Sequence, residues 1–183
     1  MSARASTNPS QAALDILQRN NIRTAPVPVD KIARTLGALV RFSPLHNDIS
    51  GMIYIKDNIP IIGVNALHHP NRQRFTIAHE CGHLVLHRPM ITTQVHVDKE
   101  FPSVVIRQLN RDSRSALGTD DVEIQANRFA AELLMPRAFL ETELRKTFDV
   151  DDSTRIEKLA KQFRVSKEAM GNRLSALFSS FSG

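Results

Sequence analysis

Apolar and polar positions alternate with different periods along this chain, and each change of period marks a change of element. In NPSQAALDILQRNNI, Pro9 stands near a helix start and Ala13, Leu14, Ile16 and Leu17 fall at helical spacing, which predicts a short amphipathic helix. VDKIARTLGALV predicts a second helix, with Asp30 as N-cap, a stripe of Ile32, Ala33 and Leu36, and Gly37 in the left-handed C-terminal position. The intervening TAPVPVD cannot be helical, because its prolines remove donors and bias their predecessors toward extended backbone.

ALVRF, GMIYIK and NIPIIGV are short, rich in β-branched and aromatic residues, and bounded by turn formers. They predict a small antiparallel sheet of about three strands, with Asp57-Asn58 at a hairpin tip. Pro70 and Asn71 then open a helix that Pro89 closes. Residues 89 to 119 are less legible: TTQVHVD and PSVVIRQ alternate like strands, and NRDSRSALGTDD reads as a polar loop. Helical period returns in DDVEIQANRFAAELLM, where Asp120 and Asp121 suit an N-terminus and Ala126, Phe129, Ala130, Leu133 and Leu134 form a stripe. Pro136 ends that helix and starts another through RAFLETELRKTF. In the tail, Thr154 and Glu157 fit a capping box, and Ser166 caps a last helix after a turn at Arg164-Val165, a helix-turn-helix shape.

With 183 residues the chain fits one domain with a small appendage. The expected division is an N-terminal helix over 1–24, a core over 25–136 and a helical C-terminal part over 137–183. No apolar run approaches the roughly 18 residues of a membrane span, and the start lacks the apolar segment of a secretion signal, so the expected location is cytoplasmic. The one cysteine, Cys81, excludes an intrachain disulfide and a cysteine-rich zinc site, so any metal must rest on His, Asp and Glu. The net charge of +5 is diffuse: six basic and three acidic groups over 1–49, nine and nine over 50–136, nine and seven over 137–183. Binding to nucleic acid by charge needs clustered Lys and Arg, so duplex DNA is the less favoured partner.

Within the helix opened by Pro70, FTIAHECGHLVLH sets His79 and His83 one turn apart on the same face, able to aim two imidazoles at one point. Random placement of seven His and eight Glu yields about 0.01 occurrences of H-E-x-x-H in a chain this long. Glu80 is a candidate general base toward a metal-activated water. The other reading is a half-buried helix whose histidines are satisfied in the core, with Phe75, Ala78, Cys81, Leu84 and Val85 as its apolar face. Cys81 itself reads as core packing.

A catalytic zinc needs a third protein ligand and one open position. The metzincin extension is excluded, because Leu86 and Pro89 stand where it requires Gly and His. Glu123, at the start of the second long helix, is the best donor; Asn127, one turn later, faces the same way and can orient a ligating histidine. Glu132 is the runner-up, and Glu123 could instead serve its helix dipole. His87 reads as a surface or supporting residue, His68 and His69 as loop residues, and His96 and Tyr54 as weaker candidates for stabilising an oxyanion.

RFTIAHECGHLVLH together with EIQANRFAAELLMP resembles the ImmA/IrrE family of zinc metallopeptidases. The likeness runs more loosely through GMIYI, IPIIGVN and LAKQFRVSKEAMGNRL, about residues 25 to 178. It implies zinc held by His79, His83 and Glu123 with Glu80 as catalytic base, a gluzincin-like arrangement. Such helices often carry a larger aliphatic residue where this chain has Cys81. The fold expected is α+β and zincin-like, a small antiparallel sheet packed on the H-E-x-x-H helix and a second ligand-bearing helix, with a helical C-terminal part. The resemblance further implies an intracellular endopeptidase that cuts, or promotes loss of, a helix-turn-helix repressor and so releases stress or mobile-element genes. The alternatives are a regulator that binds a repressor without cleaving it, and a DNA-binding regulator using Arg155, Lys158, Lys161, Arg164, Lys167 and Arg173 of the tail.

Overall fold

A computed structural model describes residues 8–46, 48–91, 113–146 and 152–179. The possible strands TTQVHVD and PSVVIRQ, and His96, lie outside them. Among the described residues the chain is α+β, with seven α-helices and one three-stranded sheet.

Helix α1 (Pro9–Arg19) starts at Asn8, whose Oδ1 accepts the Ser10 N–H at 2.9 Å. Its buried face is Ala12, Ala13, Ile16 and Leu17, while Leu14, expected in the stripe, sits at the edge of that face and is exposed. Helix α2 (Val29–Thr35) has Pro28 at its N-cap with no side-chain cap, so Asp30 is a first-turn residue, not the cap. The helix begins two residues earlier than a cap at Asp30 would set it, and Asp30 there still complements the positive end of the dipole. Gly37 does end α2 at φ +80°: the Gly37 N–H reaches Arg34 O and the Ala38 N–H reaches Ala33 O, the bond pair of a Schellman turn.

The sheet is mixed, where alternation alone suggests antiparallel strands. Strand β2 (Gly51–Lys56) and β3 (Ile59–Asn65) form the expected hairpin, with Asp57 and Asn58 both at positive φ. Strand β1 (Leu39–Ser43), however, pairs with the far edge of β3 and runs parallel to it, giving the order β1-β3-β2. The cause lies in the 44–50 connection, which passes the end of β3 around Asn65. The fully buried Asn65 side chain accepts the Leu45 N–H at 3.2 Å and donates toward the carbonyls of Leu45, His46 and Ile49 at 2.9–3.2 Å. One asparagine thereby satisfies the polar backbone of a loop that would otherwise be costly to bury.

Helix α3 (Pro70–Leu86) packs on β2, β3, α2 and α4, with His69 accepting the Asn71 N–H at its start. Helix α4 spans Ser113–Leu134, so it begins seven residues before Asp120 and absorbs part of the expected polar loop. Ser, Arg, Ala and Leu in that stretch all tolerate a helix, and length contributes cooperatively once the buried stripe is in place. Ala126, Phe129, Ala130, Leu133 and Leu134 are all fully buried. Helix α5 (Arg137–Lys146) follows Pro136.

Helix α6 (Asp152–Phe163) begins before Thr154, which is therefore inside the helix and not its cap. Arg164 at φ +54° closes it with the same Schellman bonds as α2, and Ser166 caps α7 (Lys167–Ser179) by accepting the Ala169 N–H at 3.0 Å. The α6–α7 turn is bolted to α3: Asn71 Nδ2 donates to Val165 O at 2.9 Å, and the buried Arg74 donates to Arg164 O and to Val27 O. An ion pair between the partly buried Arg173 and the buried Glu132 ties α7 to α4, and Arg173 also donates to Met135 O at 3.1 Å. One apolar cluster runs from Ala12 of α1 to Leu174 of α7. Among the described residues no helix is long and apolar enough to cross a membrane.

Candidate metal centre

His79 and His83 lie on α3 with ring centroids 4.6 Å apart and planes nearly perpendicular. Their Nε2 atoms approach to 2.9 Å. Across from them Glu123, the eleventh residue of α4, brings Oε2 to 3.1 Å from His79 Nε2 and 3.5 Å from His83 Nε2. A mid-helix position removes the reading of Glu123 as a first-turn carboxylate serving its helix dipole. His83 is buried and His79 partly so, whereas Glu123 is over a third exposed, so the cluster opens toward solvent on the α4 side.

Asn127, one turn beyond Glu123, places Oδ1 3.0 Å from His79 Nδ1. An amide oxygen only accepts, so Nδ1 carries the hydrogen and the neutral ring presents a bare Nε2 to the centre. That bare nitrogen faces a carboxylate oxygen and a second imidazole nitrogen, three electron-rich atoms converging on one point. Such an arrangement requires a positive charge, a proton or a cation, between them. Burial opposes protonation of His79, but its hydrogen bond to Glu123 and the charges of Glu80 and Glu123 outweigh that and raise its pKa. Hydrogen bonds from His79 and then His83 hold the Glu123 carboxyl well below the usual carboxylate range.

The donor set fits a metal. The three atoms lie within 4.8 Å of one another, and His79, His83 and Glu123 form a group that could hold an ion. Their separations of 2.9, 3.1 and 3.5 Å match the roughly 3.3 Å between ligands of a tetrahedral ion with bonds of about 2.0–2.1 Å.

Glu80 is buried on α3 beside this group, and its charge bears on both His79 and Cys81. Glu132, the runner-up ligand, is instead committed to Arg173 and to the Arg137 N–H at the start of α5. Cys81 is fully buried in the core, and desolvation pushes its thiol up to about 12. Tyr54 sits half-buried on β2 opposite Ile61, and none of the described contacts joins it to the triad. His68 lies in the turn before α3, its Nε2 3.4 Å from Asn65 Nδ2. His87 is buried, not superficial: its ring lies 5.4 Å from that of His83, and its Nε2 is 3.2 Å from Gln125 Oε1. The 79, 83, 87 spacing carried that information; Gln125 had no sequence signal.

Residues 33–175 match the family model of the IrrE N-terminal-like domain, peptidase family M78. The chain belongs to this family. The span matched to the IrrE-like domain contains both α3, with His79 and His83, and the α4 residue Glu123. Among solved structures, the fold is similar to that of a Mycobacterium tuberculosis transcriptional regulator, with 21% identity and a TM-score of 0.63 over 92% of this chain. The chain spans about half of that protein, 47% of its length. No curated protein sequence matches this IrrE-like chain.

Proposed function

We propose that this chain is a zinc-dependent endopeptidase of the cytoplasm whose substrate is a protein, specifically a helix-turn-helix repressor that controls stress or mobile-element genes. The observation that carries the reading is the convergence of His79 Nε2, His83 Nε2 and Glu123 Oε2 in a chain of a peptidase family. Two imidazoles and one carboxylate suit zinc and leave one position open. Zinc held there supplies a Lewis acid that acidifies an attacking water and polarises a peptide carbonyl.

The chain's own residues supply the rest. Asn127 fixes the tautomer and orientation of His79. Glu80 takes the proton of the attacking water and returns it to the leaving amide nitrogen. Because β3 is the central strand, the outer edge of β2 (Gly51–Lys56) is the part of the hairpin that can add a substrate strand through main-chain hydrogen bonds. The tail is read as a brace and not a DNA reader: Arg155 donates to Leu144 O and Arg173 pairs with Glu132, so two of its six candidate cations are spent inside the molecule.

The regulatory target rests on the family and on the likeness in fold to a transcriptional regulator. Its test is a comparison of new protein N-termini in cells making the wild type or Glu80→Gln under stress. A terminus inside a repressor, present only with the wild type, is the expected result. If the repressor is lost equally in both, the chain acts by binding and not by cleavage.

A further inference from the structure

Glycine disfavours a helix interior relative to alanine, so a glycine in the middle of α3, between the two histidines, calls for a reason in packing. Gly82 is buried where α3 meets α4. A Cβ built on it would lie 3.1 Å from Phe129 Cδ1 and 3.2 Å from both Cα and the carbonyl oxygen of Ala126. Carbon atoms in contact prefer about 3.5–4.0 Å, so something must give. Two of those three atoms are backbone, which no rotamer change can move.

Ala126 lies between Glu123 and Asn127 on α4. Any shift of its main chain away from α3 carries both residues with it, lengthening the 3.1 Å and 3.0 Å approaches to His79 together. We propose that Gly82 is a positioning residue for the metal centre: its missing side chain lets the α4 backbone at Ala126 dock close enough for Glu123 to complete the ligand set of His79 and His83. The proposal rests on the metal reading above.

Another helical glycine shows that this is not general. At Gly171 of α7 a Cβ would meet nothing within 4 Å. At Gly63 of β3 it would meet only Met52, mostly its flexible side chain. Gly82 alone among these faces the main chain of a ligand-bearing helix.

The test is the zinc dissociation constant of the full chain, measured by competition with a chromophoric chelator, for wild type, Gly82→Ala, Gly171→Ala and Glu123→Gln. Gly82→Ala is expected to bind roughly 10–100-fold more weakly, the loss usual for a displaced supporting group, with unchanged helical circular dichroism. Gly171→Ala is expected to match the wild type. Wild-type affinity in Gly82→Ala, with binding lost in Glu123→Gln, overturns the proposal and leaves the metal centre standing. A wild type that binds no zinc overturns both. Should Gly82→Ala fail to fold, adding Phe129→Leu relieves the ring contact but not the backbone one. Weak zinc binding in that folded double variant supports the proposal, and wild-type binding refutes it.

Discussion

Asn127 Oδ1 accepts the Nδ1–H of His79 at 3.0 Å, so an uncharged residue of α4 decides which nitrogen of an α3 histidine faces the metal centre. Removing that acceptor frees the ring to rotate and to exchange tautomers. Asn127→Ala is expected to weaken zinc binding about tenfold or more, and Asn127→Asp, which can still accept, to recover most of it. Chelator competition on the purified variants measures both. Equal affinity in all three proteins contradicts the role.

Glu132 is buried, its partner Arg173 is partly buried, and Glu132 also accepts the first N–H of α5. Glu132→Ala strands a partly buried guanidinium and uncaps α5, so the loss expected is about 3 kcal/mol in urea unfolding. The double variant Glu132→Ala/Arg173→Met is expected to lose less, because no uncompensated charge remains buried.

Cys81 is fully buried, and desolvation pushes its thiol up to about 12. Almost no thiolate is present at neutral pH, so an aromatic disulfide reagent should leave the native protein unmodified and titrate one thiol after unfolding. Rapid reaction in the native state would place Cys81 elsewhere.

The metal-free protein should show a stability window set by its ligands. Glu123 is depressed below its ordinary 4.5, so its contribution is present above that value and disappears as pH falls through the folded pKa. His79 is raised above 6.5, so its contribution is full below that value and is lost as pH rises through the folded pKa. The urea midpoint of metal-free wild type should therefore exceed that of Glu123→Gln most between these two values, with the gap closing on either side. A gap independent of pH contradicts the assignment.

Much of this was legible in the chain because the informative features are local. Hairpin residues Asp57-Asn58, Gly37, Ser166 and the stripe ending at Leu134 each state a backbone or burial requirement within a few positions. The parallel pairing of β1 with β3 was hidden because it depends on Asn65 holding a loop about twenty residues earlier in the chain. The early start of α4 was masked by its polar, turn-rich composition. His79, His83, Glu123 and Asn127 were readable as helix-face spacing. The close approach at Gly82 was not, since it exists only when two helices are laid together.

The most direct test of the metal centre is X-ray absorption at the zinc edge on stoichiometrically loaded protein. Zinc held by His79, His83 and Glu123 should give a shell of nitrogen and oxygen at about 2.0–2.1 Å with the outer scattering of two imidazoles, lost in Glu123→Gln or His83→Ala. A sulfur neighbour near about 2.3 Å, or a spectrum unchanged in those variants, would contradict it.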